Sequence, residues 1–159
     1  MEISSGTAEG KSAGLFLIFY LDEQLYGIPV RSAREIIPLV EITPVPKAPK
    51  IVKGIINLRG VIIPVVDLRR KLKLEERKPD VHTSLIIAEL PERLFGFMAD
   101  KVTDCLEIES ISHPEESGLK LPAEKKLVSG IGQHQGGIIV LFEPENLLSA
   151  AERKALKAI

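Results

Sequence analysis

The chain repeats itself, and the repetition limits the folds open to it. The segments Gly54 to Asp67 and Gly130 to Glu143 share one pattern: a leading glycine, a second glycine six residues later at Gly60 and Gly136, and an apolar run ending on an acid. Upstream, Leu21-Asp22-Glu23-Gln24-Leu25-Tyr26-Gly27 resembles Leu90-Pro91-Glu92-Arg93-Leu94-Phe95-Gly96. Leu25 and Leu94 stand 69 positions apart and Gly54 and Gly130 stand 76 apart, so the echoes nearly keep step. Internal duplication of a small β unit is the economical explanation.

Composition narrows the classes of function. The 159 residues suffice for one compact domain or two small barrels sharing a core. Lys and Arg number 21 against 22 Asp and Glu, which gives no overall field for nucleic acid or an anionic membrane. A partner is therefore expected to be read by shape. The lone Cys105 cannot form an internal disulfide and reads as a small buried hydrophobe. Residues 1–14 are small and polar with no basic leader, so a flexible tail and a cytoplasmic location are expected.

Along the chain, apolar runs and turn residues predict strands. Leu15 to Leu21 and Leu25 to Val30 form a hairpin around Asp22-Glu23-Gln24, and Lys53 to Leu58 with Val61 to Leu68 form a second around Arg59-Gly60. Between them, Ala33, Ile36 and Ile37 have helical spacing, which predicts a short helix over Arg31 to Ile37 stopped by Pro38. Pro64 lacks a ladder donor and predicts an edge or a bulge. A helical turn is expected over Leu68 to Leu74, before a charged connector at Glu75 to Asp80. Ser84 to Leu90 with Leu94 to Asp100 form a third hairpin, and Lys101 to Ile108 continues as strand or short helix. After a polar excursion over Ser110 to Lys126, Leu127 to Ile131 with Gly137 to Phe142 close the last hairpin. Pro144 to Ala158 has helix-forming composition, with a terminal helix placed at 150–159. The first barrel is expected over about 15–74 and the second over about 84–148, with exchange of strands left open.

No catalytic, metal-binding or cofactor-binding constellation emerges. Gly10-Lys11-Ser12 lacks the earlier glycine and the preceding strand of a phosphate loop, and Gly130, Gly132 and Gly136 miss the spacing of a dinucleotide fingerprint. His82, His113 and His134 are scattered, with no second cysteine to complete a zinc site. Asp67 and Glu143 end equivalent strands and read as capping residues.

Arg59 is different. It stands at a hairpin tip with apolar flanks, where the other copy has Gln135, so its cation belongs to one copy alone. A solvated turn arginine is one reading. The other is a guanidinium fork held by a carboxylate, with Glu35 as the partner, and presented to another protein.

Ile42-Thr43-Pro44-Val45-Pro46 and the run Val52 to Arg69 closely resemble the signature of the CheW family, the coupling proteins of bacterial chemotaxis. Tyr26-Gly27-Ile28, Glu35-Ile36-Ile37 and Gly96 to Asp104 fall where that family has similar elements, so the likeness covers about Leu15 to Ser149. The resemblance implies a mainly β fold of two intertwined, SH3-like, five-stranded barrels. It also implies a non-catalytic adaptor, without cofactor, bridging the cytoplasmic tips of chemoreceptors to the regulatory domain of the histidine kinase CheA. The family's receptor-binding groove maps onto Ala33, Glu35, Gly54, Arg59, Val102 and Cys105; kinase-binding residues are not assigned. Pro29, where the family usually has an acid, and Ala33, commonly a larger aliphatic, depart from the pattern. An adaptor of another chemosensory pathway, and a small-molecule-binding barrel, are the alternative readings.

Overall fold

The computed structural model describes residues 14–115 and 125–159. The expected N-terminal tail up to residue 13, with Gly10-Lys11-Ser12, and the middle of the Ser110 to Lys126 excursion lie outside the described residues. Strands β1 (Gly14–Leu21) and β2 (Gln24–Pro29) form the first hairpin. A single 3-10 turn at Val30–Ser32 leads into β3 (Ala33–Pro38). The Arg59-Gly60 turn joins β4 (Val52–Leu58) to β5 (Val61–Val66), and α1 (Leu68–Lys71) follows. The second half places β6 (Ser84–Glu89), β7 (Leu94–Ala99) and β8 (Lys101–Ile108) in turn, then the short β9 (Ile111–Ser112). The closing hairpin is β10 (Gly130–His134) with β11 (Gly137–Leu141), and α2 (Ala150–Lys157) ends the chain.

The strands assemble as two sheets that trade hairpins. One runs β8-β1-β2-β11-β10-β9 and the other β3-β6-β7-β5-β4. Each sheet thus combines strands from both halves, joined by parallel pairings of β11 with β2 and of β5 with β7. The correspondence extends to register. Val102 pairs with Phe19 and Asp104 with Ile18, leaving Thr103 as a bulge; Ala33 pairs with Ala88 and Glu35 with Ile87, leaving Arg34 as a bulge, 69 positions earlier. The hairpin tips match as well, since Arg59 and Gly60 have φ of 51° and 87° while Gln135 and Gly136 have 50° and 78°. Two successive positive φ values give the turn that suits the twist of a two-residue hairpin.

Arg31 to Ile37 is not a helix. Ile36 packs into the core between the sheets while Ile37 packs inside the β3-β6-β7-β5-β4 sheet, so both faces of β3 are covered. The bulge at Arg34 puts Ala33 and Ile36 on the same side three residues apart, and that spacing imitates a helix. Nor is β5 an edge strand, because it lies between β7 and β4. Pro64 is accommodated opposite Ile55, whose amide and carbonyl both turn away to Thr43, and pairing with β7 begins only at Val65.

Three apolar cores result among the described residues. Ile37, Ile56, Ile63, Val65, Leu85 and Ile87 fill one sheet, and Phe16, Ile18, Ile108, Ile139 and Leu141 fill the other. Between them the largest core holds Phe19, Phe97 and Phe142, with Phe19 and Phe97 ring centres 5.7 Å apart. The tails of the two halves clamp over it: Lys71 on α1 pairs with Glu152 on α2 at 2.7 Å. Ser149 and Glu152 form a reciprocal capping box at the start of α2. The expected helix from Pro144 is split, because Leu148 is extended between a 3-10 turn at Pro144–Leu147 and α2.

Candidate functional site at the β4–β5 turn

Arg59 reaches from the β4–β5 turn to the opposite edge of its sheet, where its Nη2 donates to Glu35 Oε1 on β3. The pair is unequal: the arginine side chain is 69% exposed and the glutamate 13%. A carboxylate so covered has few alternative positions, and it fixes the guanidinium while leaving most of it available to a partner. The bulge at Arg34 sets the direction of the neighbouring Glu35 side chain. The turn itself is reinforced by Asn57 Oδ1, which accepts from the Gly60 amide at 2.9 Å. Beside Arg59, Val61 and Ile62 are 52% and 43% exposed, which places apolar surface next to the oriented cation.

The other positions named from sequence fall into two groups. Ala33 and Gly54 are buried: Ala33 belongs to the core between the sheets, and Gly54 lies under the chain segment that carries Ile42 and Thr43. A Cβ on Gly54 would overlap the Thr43 carbonyl oxygen and stand 2.7 Å from Ile42 Cγ2. Here the segment after β3 crosses to bridge β4, with the Thr43 and Ile55 amides each donating to the other residue's carbonyl at 2.8 Å. The equivalent Gly130 is pressed by a side chain instead, Ile111 of β9. Both glycines therefore allow a strand extension to close its sheet. Val102 and Cys105 lie half-buried on β8, an edge of the other sheet, and both pack against the core that holds Ala33. Burial, and then the charge of Asp104, push the Cys105 thiol upward, which keeps it protonated and weakly nucleophilic.

Asp67 caps α1 by accepting from the Arg70 amide at 3.1 Å. Glu143 makes no such cap and instead binds Arg31 at 2.9 Å. Sequence reasoning missed Arg69. Its buried guanidinium donates to Asp22 at 2.7 Å, to Asp100, and to the Glu75 carbonyl at 2.7 Å, joining α1 to the β1–β2 and β7–β8 turns. Burial opposes its charge, but the hydrogen bonds to Asp22 and Asp100 outweigh that and hold its pKa above the ordinary arginine value. In the sequence Arg69 is one of three consecutive basic residues, and nothing local distinguishes it. Among the described residues, no three His, Cys, Asp or Glu side chains gather as a metal site, and no helix is long and apolar enough to cross a membrane.

A family model described as the CheW-like domain matches residues 15–152. The chemotaxis protein CheW of Klebsiella aerogenes is 34% identical over 139 residues, covering 86% of this chain and 82% of its own. That of Rhizobium meliloti is 29% identical over 139 residues, covering 87% and 90%. The crystal structure of the scaffolding protein TtCheW from Thermoanaerobacter tengcongensis is similar with a TM-score of 0.79 at 27% identity, over 94% of this chain and 96% of the other. With the exchanged sheets and the β4–β5 hairpin falling inside the matched residues, the chain belongs to the CheW family.

Proposed function

We propose that this protein is a non-catalytic adaptor that couples the cytoplasmic tips of chemoreceptors to the histidine kinase CheA on the inner face of the membrane. The observation that carries the reading is the exposed Arg59 guanidinium, oriented by a covered Glu35 and flanked by exposed Val61 and Ile62. Such a surface suits a protein partner, because an anchored planar cation beside apolar side chains supplies both direction and area. Around this contact Ala33 and Gly54 act through packing, shaping the sheet edge that presents Glu35. Val102 and Cys105 extend the receptor surface along β8.

Two sheets on one rigid core let one molecule hold a receptor tip and a kinase domain at fixed relative positions. Each contact can be modest in affinity, since an array of receptors raises the effective concentration. No bond is made or broken. Separate titrations with a receptor-tip fragment and with the CheA regulatory domain test the reading, and binding of both is expected. A folded protein that binds neither fragment contradicts it.

A further inference from the structure

Arg93, on the turn between β6 and β7, ties α2 to the hairpin that carries Arg59. Its Nη1 donates to the Leu156 carbonyl at 2.6 Å and to the Ile159 carbonyl at 3.1 Å, at the end of α2. Its Nη2 donates to the Ile62 carbonyl at 3.0 Å, on β5. A cation at the last carbonyls of a helix is favoured by the helix dipole, so α2 holds the guanidinium where it can also reach β5.

Pro64 explains why β5 needs this bond. Ile55 opposite Pro64 bonds to Thr43 instead, so that pair exchanges no ladder bonds; Ile62, two residues earlier and opposite Asn57, is in the same kind of pair and turns its carbonyl away from β4. On that side lies β7, but parallel pairing starts only at Val65 opposite Gly96. Running the register back places Ile62 level with Arg93, whose side chain supplies the donor. The second half contains the same clasp. Gln24 stands 69 positions before Arg93 and Ile138 stands 76 after Ile62, the two offsets of the repeat, and Gln24 Nε2 donates to the Ile138 carbonyl at 3.2 Å. There Val140 occupies the place of Pro64, and backbone pairing of β11 with β2 already begins at Ile139 opposite Leu25, next to the clasp. In the first half the stretch from Val61 to Pro64 has β4 on one side and the Arg93 side chain on the other.

We infer that Arg93 is a positioning residue for the receptor contact: through Ile62 it fixes the outer half of the β4–β5 hairpin, and with it the Arg59 guanidinium and the exposed Val61 and Ile62 side chains. The inference rests on the receptor role proposed for Arg59. Arg93 acts by preorganisation, because a hairpin already held in place loses less freedom when a partner binds it. α2 is the brace: it is tied to the β6–β7 turn a second time by Arg153, which binds Glu92 through two bonds of 2.9 Å.

Receptor-tip titration and amide hydrogen exchange of full-chain variants test the inference. Arg93→Met keeps the apolar stem and removes the donors. Arg93→Lys is the second variant: it keeps a cation at the α2 carbonyls but lacks the fork that reaches Ile62 as well. Circular dichroism establishes that each is folded. Both should bind a receptor-tip fragment about three- to tenfold more weakly, the range set by ordering one or two side chains on binding. Exchange at the closing pair of the hairpin, Leu58 and Val61, should quicken about tenfold, while Ile86 and Phe97 in the middle of the same sheet keep their protection. Arg93→Gln can place one amide on Ile62, as Gln24 does on Ile138, and should restore both readouts. Arg153→Ala frees α2 from Glu92, leaves the Ile62 bond in place and should alter neither. Wild-type receptor affinity or wild-type hairpin exchange in a folded Arg93→Met or Arg93→Lys protein overturns the inference. So does a failure of Arg93→Gln to rescue, or an Arg153→Ala loss as large as that of Arg93→Met, which marks general loosening. Normal receptor binding by Arg59→Ala removes the receptor reading and this inference with it; weak binding by Arg59→Ala beside normal binding by Arg93→Met removes this inference alone.

Discussion

The two halves of the molecule share their bulges, their turn geometry and their closing glycines, but only in the first does the hairpin-tip residue, Arg59, sit on a carboxylate. Arg34 and Thr103 are equivalent bulges, and Glu35 corresponds to Asp104. Arg59 corresponds to Gln135, with the same left-handed backbone. In the first half the pair is joined across the sheet. In the second, Asp104 Oδ1 accepts from its neighbour's amide at Cys105. What both halves retain closes a sheet; what only the first retains orients a cation toward solvent. A repeat thus separates what closes each sheet from what presents a charge to solvent.

The sharpest challenge to the shared part is at the closing glycines. Gly54→Ala should destabilise the fold by about 3 kcal/mol, the upper end for overpacking, because backbone cannot yield as a side chain can. Gly130→Ala should cost about 1–2 kcal/mol, since Ile111 Cγ2 can rotate aside. Urea denaturation measures both, and equal effects would deny that the two sites differ in what presses on them. For the unshared part, Arg59→Ala should weaken receptor-tip binding by about 1–3 kcal/mol while stability stays within about 0.5 kcal/mol. Glu35→Ala should act in the same direction and less strongly.

Smaller effects probe where the halves touch or diverge. Ser149→Ala removes the cap of α2 and should cost about 1 kcal/mol in thermal unfolding. Glu152 is pulled below the ordinary carboxylate range. Burial works against this, but the Lys71 hydrogen bond and the Ser149 amide outweigh it. A depressed folded pKa means stability present above the unfolded carboxylate value and lost as pH falls through the folded one. Glu152→Gln should flatten that acid limb of the stability curve. Tyr26 stands where the other half has Phe95, and burial, then Asp22, push its pKa up to about 12. Its stabilisation is complete below about pH 10 and fades as pH rises toward 12, so Tyr26→Phe should remove part of the alkaline loss and change little at pH 7.

Hairpins were legible because their turn residues and apolar runs are local signals. The β3 segment was misread for a physical reason: a bulged strand covered on both faces has no two-residue alternation. Strand exchange is not written in periodicity, since alternation identifies a strand without naming its neighbour. At the site, Arg59 and Glu35 could be paired in advance because one cation broke the symmetry of the repeat. Gly54 gave no local sign of lying beneath Thr43, and Arg69 depends on contacts with Asp22 and Asp100, 47 and 31 residues away.

The central claim is that Arg59 serves binding and not the turn that carries it. Its φ of 51° suits asparagine or glycine better than arginine, and Arg59→Asn would create the Asn-Gly pair that this turn prefers. Calorimetric titration of a receptor-tip fragment with wild type, Arg59→Asn, Glu35→Ala and the double variant, beside urea denaturation of each, tests the claim most directly. The account predicts that Arg59→Asn is at least as stable as wild type yet binds the receptor tip roughly 5- to 150-fold more weakly, with little added by Glu35→Ala. Full receptor affinity in a folded Arg59→Asn protein would contradict it.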